Sequence, residues 1–252
     1  AGADCPRFCG RVIEGLDPAA RTPLWMAERL RRAGLRPISP LVDITNYVML
    51  ELGQPLHAFD ADKLSGPIVV RHAHEGETLK LLDEREVALD PGFLVVTDAG
   101  RAVALGGVMG GWDTRVTDGT TRVFLEEAHW IPSAIVGRSR KLGMHTDAAH
   151  RFERGVDPQL PRYAIERATA LVQQIMGGAA GPMTETANPQ YLSTPAPVNL
   201  RRARLARVLG IRVADDEVER ILRALGMSVQ ASNDGWQVTP PTRRFDIAIE
   251  ED

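Results

Sequence analysis

Cysteine is scarce: Cys5 and Cys9 stand four residues apart, and no further thiol exists to complete a structural zinc site. That usage predicts a reducing cytoplasm as the setting. Long apolar runs are also missing. Stretches such as residues 93–96 and 102–105 fall far short of a membrane span, which excludes a spanning helix. The start, Ala1-Gly-Ala-Asp-Cys-Pro, has no basic region followed by an apolar stretch, so a signal peptide is not expected. It lacks an initiator Met, and the far end stops inside an amphipathic pattern, so both ends read as cuts in a longer protein. Nor is there an excess of one charge. Thirty Lys and Arg against 33 Asp and Glu leave −3, so any RNA contact must come from local patches. No internal repeat or low-complexity tract is found. What is present is a 44% hydrophobic share over 252 residues, enough for one large domain or a mid-sized domain plus a small one.

Residues 7–14 alternate as a strand does. Thr22-Pro23 predicts the start of a helix whose apolar face holds Met26, Ala27, Leu30 and Ala33, with Gly34 as its stop. Residues 41–52 form a second helical pattern. Between residues 67 and 127 the texture changes to strands, at 68–70, 78–82, 93–97, 101–105 and 122–126, separated by turn residues such as Asp90-Pro-Gly92. Helical texture returns at 132–142 and, as a long amphipathic helix ended by Gly177-Gly178, at 160–176. The expected class is α/β (α+β): a mixed β-sheet covered by helices. Three prolines in the ten residues 188–197 predict a domain boundary. Beyond it, two short helices, with Asp215 placed to cap the second, and a hairpin turned at Asn233-Asp-Gly235 predict a small winged-helix-like module over 193–252.

Four segments carry polar or conformationally special residues. In Val42-Asp-Ile-Thr-Asn-Tyr, the side chains of Asp43, Thr45 and Asn46 sit at a helix start, where capping and function are equally served. His57 follows Gln54-Pro55 in a turn. Gly106-Gly-Val-Met-Gly-Gly111 places four glycines in six residues after a strand, which predicts close approach of a ligand to the backbone. It matches neither a Walker loop nor the Rossmann spacing. Glu126 and Glu127 are adjacent in a strand, so one of them is expected to point inward. A buried carboxylate needs a partner or a polar ligand. His145, Asp147 and His150 raise a metal-hydrolase reading, although the two histidines lack the helical metal spacing.

Asp43-Ile-Thr-Asn-Tyr, Gly53-Gln-Pro-Leu-His-Ala-Phe-Asp60, Gly106-Gly-Val-Met-Gly-Gly111, Leu125-Glu126, and His145-Thr-Asp-Ala followed by Arg151-Phe-Glu-Arg-Gly-Val-Asp157 together resemble the editing domain of the bacterial phenylalanyl-tRNA synthetase β subunit. The resemblance runs over residues 5–188 in order, so the editing domain is expected over 1–188. Leu200-Arg-Arg-Ala-Arg-Leu, Leu209-Gly210 and Pro241-Thr-Arg-Arg-Phe-Asp-Ile resemble the next domain of that subunit. The resemblance implies hydrolysis of tyrosine mischarged on the phenylalanine tRNA. It implies a pocket with Thr45, Asn46 and His57 around the reacting ester. Pro55, Gly110, Gly111, Thr146 and Ala148 would form its walls, and Glu126, as an ionised acceptor, would sense the tyrosine hydroxyl.

For the whole subunit the resemblance implies an α subunit, two copies of each chain, tRNA as partner, and neither membrane nor DNA. Editing would need no cofactor, whereas ATP and Mg²⁺ belong to the full enzyme. Asp246 and Asp252 would be Mg²⁺ ligands there, incomplete in this chain because two further glutamates lie beyond residue 252. Arg138, Arg140, Lys141, Arg151 and Arg154 are candidates for the phosphates of the tRNA end. A rival reading makes the chain a non-catalytic RNA-binding scaffold, favoured by Arg201, Arg202, Arg204 and Arg207 and diluted by Asp215, Asp216, Glu217 and Glu219.

Overall fold

The computed structural model describes residues 2–252. Strand β1 (Arg7–Glu14) leads into helices α1 (Leu24–Arg32) and α2 (Pro40–Leu52). Met26 and Leu30, one turn apart on α1, are fully buried. Thr22 does not cap that helix: its hydroxyl donates to Asp43 Oδ2 at 2.5 Å. Pro40 opens α2 where its missing N–H is not needed, and Gly53 closes it with φ 78°. Asp43 secures the entry by accepting the Ile38 N–H at 2.8 Å. Thr45 lies deeper in the helix, with its hydroxyl donating to the Val42 carbonyl. Ser39 is the N-cap residue and no side chain caps the helix, so Asp43 instead ties the helix to Thr22 and to the backbone ahead of it.

The strand-rich middle is built from β2 (Leu56–Asp60), β3 (Ile68–His72), β4 (Thr78–Lys80), β5 (Glu86–Ala88), β6 (Leu94–Asp98), β7 (Arg101–Leu105), β8 (Met109–Gly110) and β9 (Arg122–His129). Helices α3 (Pro132–Ile135), α4 (Arg138–Lys141), α5 (Asp147–Phe152) and α6 (Leu160–Met176) follow, then β10 (Ala179–Ala180) and β11 (Thr184–Ala187). The α/β class holds, but the strands divide between sheets. One has the order β10-β1-β9-β2 with β11 also on β1; another runs β3-β6-β7-β8, and β4 pairs with β5. These ladders are antiparallel.

Strand β9 lies between β1 and β2, and its two faces are both covered. Val123 and Leu125 pack into one core with Ile13, Met26, Ile44 and Ile165, the side held by α1, α2 and α6. Ala128 belongs to the other core, with Phe59, Val95, Leu105 and Trp130. Alternation along the strand therefore buries both glutamates, Glu126 toward one side and Glu127 toward the other. This corrects the expectation that only one would point inward.

The chain divides into two compact units: residues up to 156 with 160–191, and 192–252 with 157–159. The second holds β12 (Val198–Arg201), α7 (Arg202–Leu209), α8 (Asp215–Ala224), β13 (Ser228–Ala231) and β14 (Gly235–Thr239). Its sheet, β12-β14-β13, has one strand more than the expected hairpin. Val218, Val229, Trp236 and Val238 form its core. Ala214, not Asp215, occupies the N-cap of α8; Asp215 is the first helical residue, and its carboxylate accepts from Arg202 at 2.8 Å. Among the described residues, no helix is long and apolar enough to cross a membrane.

Candidate active site

A cavity of about 520 Å³ opens between the β2–β9 edge of the first sheet and the β7–β8 turn of the second. Thr45 and Asn46 reach it from α2, Pro55 from the turn into β2, His57 from β2 itself rather than from the expected turn, Gly110 from β8 and Glu126 from β9. Thr146 and Ala148 close it from the start of α5. Gly111 is the predicted wall residue that does not line the cavity. Its N–H donates to the Val103 carbonyl at 2.9 Å, and a Cβ there would sit 2.4 Å from that oxygen.

Register sets the centre of the site. Antiparallel pairing of β2 with β9 puts His57 directly across from Glu126, with both side chains at the cavity. Glu126 is 7% exposed, and its Oε2 has no hydrogen-bond partner. His57 is half-buried, but its Nε2 is sealed from solvent and also unpaired. Its ring stands edge-on to Phe59 at 4.4 Å between centroids. Burial raises the Glu126 carboxyl to about 8 and lowers the His57 imidazole to about 4. Burial thus favours the protonated carboxyl at Glu126, where the resemblance implies an ionised acceptor. That carboxyl can both donate and accept a hydrogen bond.

The surrounding hydroxyls are partly committed. Thr146 caps α5 by accepting the Ala149 N–H at 3.0 Å, and donates to the Val108 carbonyl at 2.9 Å. Thr45 has donated its proton to Val42 and retains its lone pairs. The glycine run answers to the protein itself more than to a ligand. A Cβ on Gly106 would meet Trp130 at 2.9 Å, one on Gly107 would meet Ile135 at 2.9 Å, and one on Gly110 would meet the His57 ring. Wall residues that the sequence reading missed include Val96, Arg115, Trp130 and Phe152. For Trp130 a signal existed, since it follows Glu126 and Ala128 at strand spacing.

The other candidates are dispersed. Asp147 pairs with Arg151, and among the described residues no three His, Cys, Asp or Glu side chains gather as a metal set, which leaves His145 and His150 without one. Asp246 places both carboxylate oxygens on Arg244, at 2.9 and 3.0 Å, and Asp252 accepts the Ala248 and Ile249 N–H groups. Both carboxylates are thus engaged by groups of this chain. The basic run of the second unit is largely neutralised: Arg201 meets Glu250, Arg202 meets Asp215 and Arg204 meets Glu251. Of the five proposed phosphate contacts, Lys141 is paired with Asp90, whereas Arg140 is exposed.

Residues 4–177 match the model of the B3/4 domain. The chain belongs to the B3/4 domain family. Every residue lining the cavity falls inside that B3/4 match. Residues 198–252 match the tRNA synthetase B5 domain. The chain is similar to the phenylalanine–tRNA ligase β subunits of Xanthomonas euvesicatoria pv. vesicatoria, at 66% identity, and Xylella fastidiosa, at 64%. Each alignment covers 252 residues, all of this chain and 32% of the relative, so the chain spans about a third of their length. It also matches a solved N-terminal fragment of the phenylalanyl-tRNA synthetase β subunit from Pyrococcus horikoshii. That match has 16% identity and a TM-score of 0.43, over 96% of this chain and 66% of the other. A score that low adds no weight to the family assignment.

Proposed function

We propose that this chain is the error-correcting part of a phenylalanine–tRNA ligase β subunit and hydrolyses tyrosine wrongly esterified to the phenylalanine tRNA. One observation carries the reading: Glu126 is a buried carboxyl with an unpaired oxygen on the wall of a cavity otherwise lined largely by apolar groups and glycine. An apolar synthetic pocket rejects an added hydroxyl by only about a hundredfold. A second site improves on that by requiring the hydroxyl. A tyrosine phenol satisfies Glu126 in either protonation state, whereas phenylalanine leaves it unpaired at a cost of about 1–3 kcal/mol.

His57, held neutral by burial down to about 4, is a weak base at neutral pH. It acts by positioning: with Thr45 and Asn46 it holds the water and the terminal adenosine, and the ribose hydroxyl of the tRNA assists. In the whole ligase, a cytoplasmic assembly of two α and two β subunits, the ATP-dependent synthesis belongs to α. There Asp246 and Asp252 bind Mg²⁺ only with ligands from outside this chain. Tight stoichiometric Mg²⁺ binding by this chain alone, measured by calorimetry, would refute that last assignment.

The test of the main reading is hydrolysis of tyrosyl- and phenylalanyl-tRNA, with and without chelator. The tyrosyl ester is hydrolysed faster, chelator changes nothing, and Glu126→Ala narrows the gap by roughly 5- to 150-fold. Equal rates on both esters in the unaltered chain would overturn the reading. Equal retention of both tRNAs without hydrolysis would favour the scaffold role.

A further inference from the structure

On the side of β9 away from the cavity lies a second buried carboxyl that the proposed hydrolysis does not use. Glu127 is 1% exposed, and Gln54 beside it is completely buried. Gln54 Nε2 donates to Glu127 Oε1 at 2.5 Å and to the Ala128 carbonyl at 2.9 Å. The two remaining oxygens, Gln54 Oε1 and Glu127 Oε2, have no partner. The carbonyl of Ala128 fixes which end of the amide carries the nitrogen, so the pattern does not disappear on flipping Gln54.

Were Glu127 ionised, Gln54 Oε1 and Glu127 Oε2 would both be buried acceptors without a donor, an arrangement native proteins avoid. A single proton on Glu127 removes both deficits. The carboxyl O–H then donates to Gln54 Oε1 while Gln54 Nε2–H donates to the carboxyl oxygen, a closed pair of hydrogen bonds. Burial acts in the same direction, holding this carboxyl well above the usual carboxylate range against the opposing hydrogen bonds from Gln54 and the Ala128 backbone.

The position of the pair gives it consequence. Gln54 is the residue between Gly53, which ends α2, and Pro55, which lines the cavity. Glu127 is the neighbour of Glu126 and pairs in register with Leu56, the residue before His57. The contact therefore joins three parts of the cavity wall: α2 with Thr45 and Asn46, β2 with His57, and β9 with Glu126. We propose that Gln54 and Glu127 form a neutral acid–amide pair that positions His57 against Glu126. Both are positioning residues. Their effect on hydrolysis rests on the function proposed above, whereas the protonation and the placement of His57 do not.

The experiment compares Glu127→Gln, which keeps a closed pair of amides, with Glu127→Leu, which keeps volume but removes it. Gln54→Met serves where Glu127→Leu does not fold. Infrared spectra at neutral pH should lose one protonated-carboxyl band in Glu127→Gln. The His57 imidazole resonances should stay in place in Glu127→Gln and move in Glu127→Leu or Gln54→Met. Tyrosyl-ester hydrolysis should fall roughly 3- to 10-fold in those last two variants and be rescued in Glu127→Gln.

An unchanged carboxyl band in Glu127→Gln, with stability lost as in Glu127→Leu, would mean an ionised Glu127 and overturn the pair. Imidazole resonances unmoved by any variant would overturn the positioning role. Absence of tyrosyl hydrolysis in the unaltered chain would count against the proposed function alone, since the infrared and imidazole readouts still decide this one.

Discussion

Gly110 and the His57 ring compete for one space: a Cβ built at residue 110 would lie 2.2 Å from the ring Cε1 and 2.5 Å from Nε2. The glycine is required by that approach and not by its backbone, since its φ is outside the left-handed region. Gly110→Ala is therefore expected to push the imidazole out of its place opposite Glu126, with a stability cost of about 1–3 kcal/mol. Imidazole resonances and single-turnover hydrolysis together check this. An alanine variant with His57 unmoved and full activity would show that the strand can retreat.

Ala148 supplies the second steric test. It stands half-buried on α5 and faces the cavity. Ala148→Trp should fill the space meant for an aromatic ring and abolish tyrosine binding, while the melting temperature holds. A collapse in melting temperature alongside lost binding would indicate ordinary overpacking of the core, and the cavity reading of Ala148 would fail.

Much of this arrangement was visible in the sequence, and the gaps have physical causes. Strand texture between residues 68 and 126 and the glycine stops at 34 and 177 survive in the fold, because local periodicity and left-handed backbone are local properties. What the sequence did not show is register. Which residue faces His57, and that β9 is covered on both sides so that Glu126 and Glu127 are both buried, depend on pairings between segments far apart in the chain. Three of the four glycines of the run line the cavity, but that Trp130, Ile135 and His57 also press on them is invisible in the sequence for the same reason, since those groups are distant in the chain. Gln54 passed as a turn residue because its partner, Glu127, lies 73 positions away.

The opposed titrations of Glu126 and His57 predict how stability follows pH. The Glu126 carboxyl rises from 4.5 when free to about 8 in the fold, so between those values the folded state holds a proton that the unfolded chain has lost. Its contribution is complete below about 4.5 and declines as pH rises through 8. His57 falls from 6.5 to about 4, so its contribution is complete above 6.5 and declines as pH falls toward 4. Each tenfold difference in proton affinity is worth about 1.4 kcal/mol, which makes the alkaline limb a matter of a few kcal/mol. Glu126→Gln removes that titration; Glu127, also raised by burial, continues to act on the same limb, and the buried thiols of Cys5 and Cys9, raised by burial too, join it from about pH 9 upward. Thermal melts from about pH 6 to about pH 9 should therefore fall less steeply in Glu126→Gln than in the unaltered chain. His57→Gln should instead flatten the acid limb. If the unaltered chain and Glu126→Gln lose stability in parallel as pH rises, Glu126 is already ionised in the fold, and the neutral acid at the cavity wall is wrong.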